Sequence, residues 1–226
     1  MIWSAMPGVD AVVFDLDGTL LDTLEDLAES LNAALEEAGY PPHPVSAYRY
    51  FVGDGARRLV ERAFPPGRPP AEEEADRIYR NYLRHYGECW DRKSKPYPGI
   101  LELLDLLRDL GIPLAVCSNK PDAFTRLCVE RLLPPQRFAA VIGQREGVPR
   151  KPDPAAALLA ARQMGVDPGA CLFVGDSGVD METACRAGMA PIGVLWGFRE
   201  AGELLGAGAR CLLASPAELE PLLGPR

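Results

Sequence analysis

The sequence predicts an α/β protein: a doubly wound, mostly parallel sheet with a helical cap inserted after its first strand. Three observations predict it. Short apolar runs recur along the chain, helix-period patterns lie between them, and one long early stretch breaks the alternation. Runs that are apolar throughout suit strands buried on both faces, and strand–helix alternation implies right-handed crossovers within one sheet.

The first run is AVVF at 11–14. Residues 22–92 then contain no convincing strand. Leu24, Leu27, Leu31 and Leu35 mark a helix ending at Gly39, and later helical stretches are separated by the breakers YPPHP, VGDG and FPPGRPP. A crossover needs one helix, whereas about 70 residues can form a small bundle over the carboxyl edge of the sheet. The expected division is a core of 1–21 and 93–226 and a cap of 22–92, joined by hinge-like linkers near Asp22 and at 93–98. Beyond Pro98-Gly99 the alternation resumes. Leu103, Leu104, Leu107 and Leu110 mark a helix and PLAVC at 113–117 a strand; Phe124, Leu127 and Leu132 mark the next helix and FAAVI at 138–142 the next strand. Ala156, Leu159, Ala160 and Met164 form a helix before Gly165, followed by CLFV at 171–174, PIGVL at 191–195 and a weaker run at 210–213.

With 226 residues, 47% of them hydrophobic and 25% charged, the chain builds one sizeable core with room for an insert. A formal charge of -8 leaves no basic field for nucleic acid or an anionic membrane surface. No run approaches the roughly 18 consecutive apolar residues of a membrane helix. The opening MIWSAMPGVD has neither a basic n-region nor a long apolar h-region, so a cytoplasmic location is expected. Six cysteines without a CxxC pair, two of them inside strand-like runs, read as reduced thiols, and two histidines make a Cys/His zinc site improbable. Oligomeric state is not legible.

Ligands of an open parallel sheet sit beyond the carboxyl ends of its strands. Asp15-Leu16-Asp17-Gly18-Thr19 follows the first run, Ser118-Asn119-Lys120 the second, and Gly175-Asp176-Ser177-Gly178-Val179-Asp180 the fourth; Arg150-Lys151-Pro152-Asp153-Pro154 precedes the helix after the third. Asp15 and Asp17, two apart on an extended chain, point to one side, and Asp176 approaches from a neighbouring strand. Alone they would repel and one would be forced neutral. Oxygen-only ligands with open water positions suit Mg2+, which also offsets the repulsion when anionic Asp15 attacks an anionic phosphate. Ser118 with the following amide holds phosphate oxygens, and Lys151 supplies a fixed positive charge. Gly18 permits a sharp turn, while Thr19 bonds back to Asp15 or caps the turn. Asp17 protonates the leaving alkoxide and then takes a proton from the attacking water. Asp180 either steadies Asp176 or metal-bound water or supports the helix start.

FDLDGTLLDT, VCSNK, RKPDP and VGDSGVDMETACRAG, in that order, resemble the four signature motifs of the haloacid dehalogenase superfamily of phosphotransferases. Within it, YPGILELLDLLRDLGIPLAVCSNKP, FVGDGARRLVERA and VLWGF resemble the phosphoglycolate phosphatase branch, whose helical cap follows the first motif. The resemblance implies a Rossmann-like core with its first strand central, between the strands ending in Ser118 and Asp176. It carries over Asp15 as nucleophile and metal ligand, Asp17 as acid/base and donor of a backbone carbonyl to the metal, and Asp176 as metal ligand. Ser118, Asn119 and Lys151 carry over as phosphate contacts, with Thr19 beside them. Dehalogenase siblings lack the second aspartate, so Asp17 argues against that reaction. Residues 22–92 contain no lysine, which argues against the phosphonate-cleaving siblings and weakens a hexose phosphate mutase reading. The expectation is a phosphatase for a small phosphorylated metabolite, 2-phosphoglycolate first, with another small phosphate ester or pyrophosphate as alternative. A non-catalytic binding module would usually have lost one of Asp15, Asp17, Lys151 and Asp176. In the cap, Arg57 or Arg58 is the candidate reader of a substrate carboxylate.

Overall fold

The computed structural model describes residues 8–65, 70–134 and 137–224; the opening residues 1–7 and part of the FPPGRPP breaker lie outside them. In chain order the strands are β1 (Ala11–Phe14), β2 (Leu21–Asp22), β3 (Lys95–Pro96), β4 (Leu114–Pro121), β5 (Phe138–Gln144), β6 (Cys171–Gly175), β7 (Ala190–Val194) and β8 (Cys211–Leu213). The helices are α1 (Leu24–Glu37), α2 (Tyr48–Phe51), α3 (Ala56–Arg62), α4 (Glu72–Cys89), α5 (Ile100–Asp109), α6 (Asp122–Leu132), α7 (Ala155–Met164), α8 (Gly178–Ala187) and α9 (Ala201–Gly206).

Six strands make one parallel sheet in the order β5-β4-β1-β6-β7-β8. The shortest of the early apolar runs thus takes the centre, with Phe14 paired to Val116 on one side and Val174 on the other. The two-residue period sorts its side chains. Val12 and Phe14 join Leu114, Val116, Leu172 and Val174 in the cluster that receives α5, while Ala11 and Val13 join Ala115, Cys117 and Phe173 against α7 and α8. Ala156, Ala157, Ala160 and Ala161 line the buried face of α7, so that helix lies close on the sheet. Every crossover strand therefore delivers its carboxyl end to one rim.

Between β1 and β4 the chain leaves the sheet and forms α1 to α4. The two linkers expected near Asp22 and at 93–98 meet: β2 and β3 form a two-stranded antiparallel ribbon, Leu21 opposite Pro96 and Asp22 opposite Lys95. Asp26 locks the return linker. Fully buried in the first turns of α1, its carboxylate accepts from Lys93 N (3.1 and 3.0 Å), Ser94 N (2.7 Å) and Ser94 Oγ (2.7 Å). A buried carboxylate is tolerated there because its acceptors are filled. Among the described residues no helix is long and apolar enough to cross a membrane. The six cysteines are free thiols, with Cys185 alone exposed.

Candidate active site

The rim of the sheet gathers the carboxylates around one ammonium. Asp15 remains on the ladder after β1 ends, its N–H donating to Val174 O at 2.9 Å, and its Oδ1 accepts from Lys151 Nζ at 2.7 Å. The same Nζ donates to Asp180 Oδ1 (2.7 Å) and Cys117 O (2.9 Å), so all three of its protons have acceptors. Burial opposes the charge on Lys151, but Asp15 and Asp180 outweigh it and hold the ammonium above its ordinary range. Asn119 fixes this lysine. Its Oδ1 accepts from Lys151 N (2.8 Å), and its Nδ2 donates to Lys151 O (3.1 Å) and to Gly53 O (3.0 Å). The Asn119 side chain is thus a brace between the two loops, while the residue itself lines the pocket beside Ser118. Ser118, on the pocket wall, accepts from Lys120 N at 3.2 Å and keeps its own proton to donate.

Asp15, Asp176 and Asp180 each offer one oxygen within 4.8 Å of the others, all three buried. Burial first, then the charge of Asp180, pushes the Asp15 carboxyl up to about 7. Burial, Asp180 and Asp15 in that order push Asp176 well above the usual carboxylate range. Two of the three, Asp15 and Asp180, share one lysine, while Asp176 accepts from Phe198 N and Thr19 Oγ1. A hard divalent cation fits this donor set, because the three groups bring buried carboxylate oxygens close together and Lys151 reaches only two of them. Asp180 serves two further partners. Its Oδ2 accepts from Ser177 N (3.1 Å) and Ser177 Oγ (2.6 Å), closing a capping box at the start of α8 while Oδ1 holds Lys151.

Asp17 stands outside that group of three. It lines the same pocket as Asp15 and Asp176, but strand pairing ends at Phe14 and the chain turns, so its carboxylate is not among the three grouped oxygens. The Asp17 Oδ1 accepts from Thr23 Oγ1 (2.7 Å) and Lys120 Nζ (3.0 Å), and its Oδ2 lies 3.2 Å from the same Nζ. Lys120 is buried over the Tyr86 ring, 4.6 Å from its centroid. The turn needs Gly18, whose φ is 89° and whose missing Cβ leaves room for the Asp176 carboxylate. Thr19 is fully buried. Its hydroxyl reaches Asp176 Oδ1 at 3.4 Å, not Asp15, and it does not line the pocket. Gly18→Ala combines a left-handed backbone, costing about 1–2 kcal/mol, with a collision against the Asp176 carboxylate. A lower melting temperature and at least about tenfold weaker divalent-cation binding are expected, read by thermal melting across a Mg2+ titration.

The pocket over Asp15 and Asp176 is closed by the helical segment. Leu27, Val52, Leu59 and Tyr82 contribute its apolar side. Three successive carbonyls of the VGDG loop receive donors from the core: Val52 O from Arg199 Nη2 (2.8 Å), Gly53 O from Asn119 Nδ2 (3.0 Å) and Asp54 O from Arg150 Nη1 (3.3 Å). Gly53 and Gly55, with φ of 124° and 90°, let the loop present them. Arg49 returns the contact by donating to Gly197 O (2.7 Å) and Phe198 O (3.2 Å). Phe198 N in turn holds Asp176 Oδ2 at 2.7 Å.

The structure does not bring Arg57 or Arg58 to this pocket. Ala56 and Leu59, one turn apart on α3, take the inward face, which leaves the two arginines off it. Arg57 pairs with Asp76 across the surface and Arg58 with Glu61 at 2.6 Å, their side chains 43% and 60% exposed. Residues not singled out in the sequence take their place at the pocket: Lys120, Tyr82 and Arg199. A signal for Lys120 was present, since Ser118 and Lys120 are two apart on one strand and therefore share a face.

The Asp15 shift sets a pH dependence in the metal-free protein. The acid is raised in the folded state, so its contribution is present below the unfolded value of 3.8 and is lost as pH climbs to about 7. Relative to the wild type, Asp15→Asn is expected to gain melting temperature across that interval and to level off above it, measured with chelator present.

The haloacid dehalogenase-like hydrolase family model matches residues 9–188. A phosphoglycolate phosphatase of Mesorhizobium japonicum is 38% identical over 190 residues, covering 84% of each chain. One of Chromobacterium violaceum is 36% identical over 220 residues, covering 95% of this chain and 96% of that protein. Among solved structures, a predicted phosphoglycolate phosphatase from Haemophilus somnus 129pt superposes with a TM-score of 0.89 at 28% identity, covering 97% of this chain and 100% of its own. CbbY from Rhodobacter sphaeroides, in complex with phosphate, superposes with a TM-score of 0.78 at 26% identity over 95% and 99% of the two chains. A match that runs through all four rim motifs, with the strand order they require, leaves one assignment: the chain belongs to the haloacid dehalogenase-like hydrolase family.

Proposed function

We propose that this chain is a Mg2+-dependent phosphatase that hydrolyses a small phosphomonoester through an aspartyl-phosphate on Asp15, with 2-phosphoglycolate as its substrate. The observation that carries the reading is Asp15 itself: a buried carboxylate on the pocket floor, paired to a fully engaged lysine and grouped with two further acids. Its relatives named phosphoglycolate phosphatase support the substrate.

Asp15, Asp176 and the backbone at Asp17 would hold the ion, which when bound neutralises the acids and draws charge from the phosphoryl oxygens. Ser118 donates to one of those oxygens. The Asp15 oxygen attacks phosphorus, the bond to the leaving oxygen breaks, and Asp17 supplies the proton that leaves with the alcohol. Water then attacks the phosphorus of the aspartyl-phosphate, Asp17 takes its proton, and inorganic phosphate departs with Asp15 restored. Lys120 and Thr23 hold the Asp17 carboxylate at the pocket wall between these steps. Lys151 keeps Asp15 oriented, and Asp180 and Asn119 keep Lys151 in place. Residues 22–92 act as a cap whose closure excludes water and whose opening releases products. A cytoplasmic location goes with free, mostly buried thiols and a small-metabolite substrate.

A panel of 2-phosphoglycolate, pyrophosphate, nucleoside monophosphates and hexose phosphates, each with and without Mg2+, tests the reading. Metal-dependent release of phosphate, highest in kcat/KM for 2-phosphoglycolate, is the expected result. Turnover indifferent to chelation removes the metal, and a higher kcat/KM for another member of the panel removes the substrate.

A further inference from the structure

The pocket needs a receptor for whatever the phosphate is attached to, and the arginines of α3 face elsewhere. Arg199 sits at the right place. Phe198, immediately before it, anchors the backbone to the Asp176 carboxylate, and from there the arginine side chain crosses to Val52 O on the opposite loop. It therefore joins the loop after β7 to the helical segment at the wall of the pocket that holds Asp15 and Asp176.

Its hydrogen bonding is incomplete. Nη2 donates to Val52 O at 2.8 Å, Nε lies 3.3 Å from Glu203 Oε2, and the guanidinium rests over Tyr50 at 5.4 Å, yet Nη1 is buried with no partner. The side chain is 9% exposed. A buried cationic N–H without an acceptor is costly unless a ligand fills it. The neighbouring cations face groups of their own: Lys120 both oxygens of Asp17 and the Tyr86 ring, Lys151 three acceptors. Arg199 is a pocket-lining cation whose Nη1 no protein acceptor fills.

We propose that Arg199 is the specificity residue of this site, receiving the carboxylate of the substrate's leaving group on its free Nη1. The inference rests on the phosphomonoesterase reading above and deepens it, placing the determinant on the core loop after β7 and not in the cap. A guanidinium suits the role because its fixed fork binds one carboxylate while its other edge stays on the loop carbonyl.

The test is a selectivity ratio: kcat/KM for 2-phosphoglycolate divided by kcat/KM for ethyl phosphate, which lacks the carboxylate. Arg199→Met is expected to lower the ratio about 10–100-fold, chiefly through KM for the acid, and Arg199→Lys by less, since it keeps charge without the fork. A general loss of folding or of cap closure acts on both esters and cancels in the ratio, so an unchanged ratio overturns the proposal. Phospholactate and 3-phosphoglycerate are run beside the pair. If the wild type prefers one of these to 2-phosphoglycolate and Arg199→Met erases that preference, Arg199 stands and 2-phosphoglycolate falls. If the wild type prefers 2-phosphoglycolate and the variant retains the preference, the substrate stands and Arg199 falls. A wild type indifferent to the carboxylate overturns both.

Discussion

Asp15→Asn is expected to lower kcat by about four orders of magnitude or more while leaving the protein as stable as the wild type or more so. The two effects separate because the residue's chemistry and its structural role differ. Asparagine keeps a carbonyl oxygen where Oδ1 accepts from Lys151 at 2.7 Å, and the lysine retains Asp180 and Cys117 O. One negative charge leaves a buried group that already holds too many, since Asp15 and Asp176 are both raised by burial and by their acidic neighbours. What the amide lacks is a nucleophilic oxygen, so the covalent route closes. Aryl phosphate hydrolysis, thermal melting and the mass of acid-quenched protein read the three parts. The wild type gains one phosphoryl group on the peptide holding Asp15 and the variant none. Turnover within about tenfold of the wild type would remove Asp15 as the nucleophile.

The elements that position this residue were legible because their signals are local. AVVF, PLAVC, FAAVI and CLFV are apolar without interruption, and each became a strand of the parallel sheet. The polar residues after them had to reach one rim, since parallel strands share a direction. Extent was less legible: β4 runs on through Ser118 to Pro121, its backbone pairing resuming at Pro121 opposite Gln144 after a shift of register past Cys117. The β2–β3 ribbon was missed, two residues on each side being too short for a pattern. The deeper gap lies in contacts between the helical segment and the core. Whether Arg57 or Arg199 faces the pocket depends on how α3 is rotated and where the VGDG loop lands, and both follow from long-range packing that no periodicity within either segment encodes. Lys120 shows the same limit, since its partner Asp17 comes from a turn that breaks strand geometry.

Lys151→Met carries the largest expected stability effect. Its side chain is 3% exposed and its ammonium bonds Asp15, Asp180 and Cys117 O, so the substitution strips two buried carboxylates of their shared cation at once. Removing one member of a buried ion pair costs about 3–5 kcal/mol, far above the value of any exposed pair such as Arg186–Glu182. The sign with pH follows from the acids left behind. Lys151 lowers the Asp15 value that burial and Asp180 raise; without it the folded carboxyl rises further, and native protein binds protons that the unfolded chain, near 3.8, has already released. The deficit is therefore small in acid and grows as pH climbs through about 7 and beyond. Two additions probe the cause. Mg2+ restores part of the missing positive charge, so it is expected to raise the melting temperature of Lys151→Met by more than that of the wild type. Asp180→Asn placed on the Lys151→Met background removes one of the orphaned charges, and the double variant is expected to regain stability relative to Lys151→Met alone, a coupling of at least about 1 kcal/mol. Strict additivity of the two substitutions would mean that Lys151 does not stabilise the rim through its ion pair with Asp180.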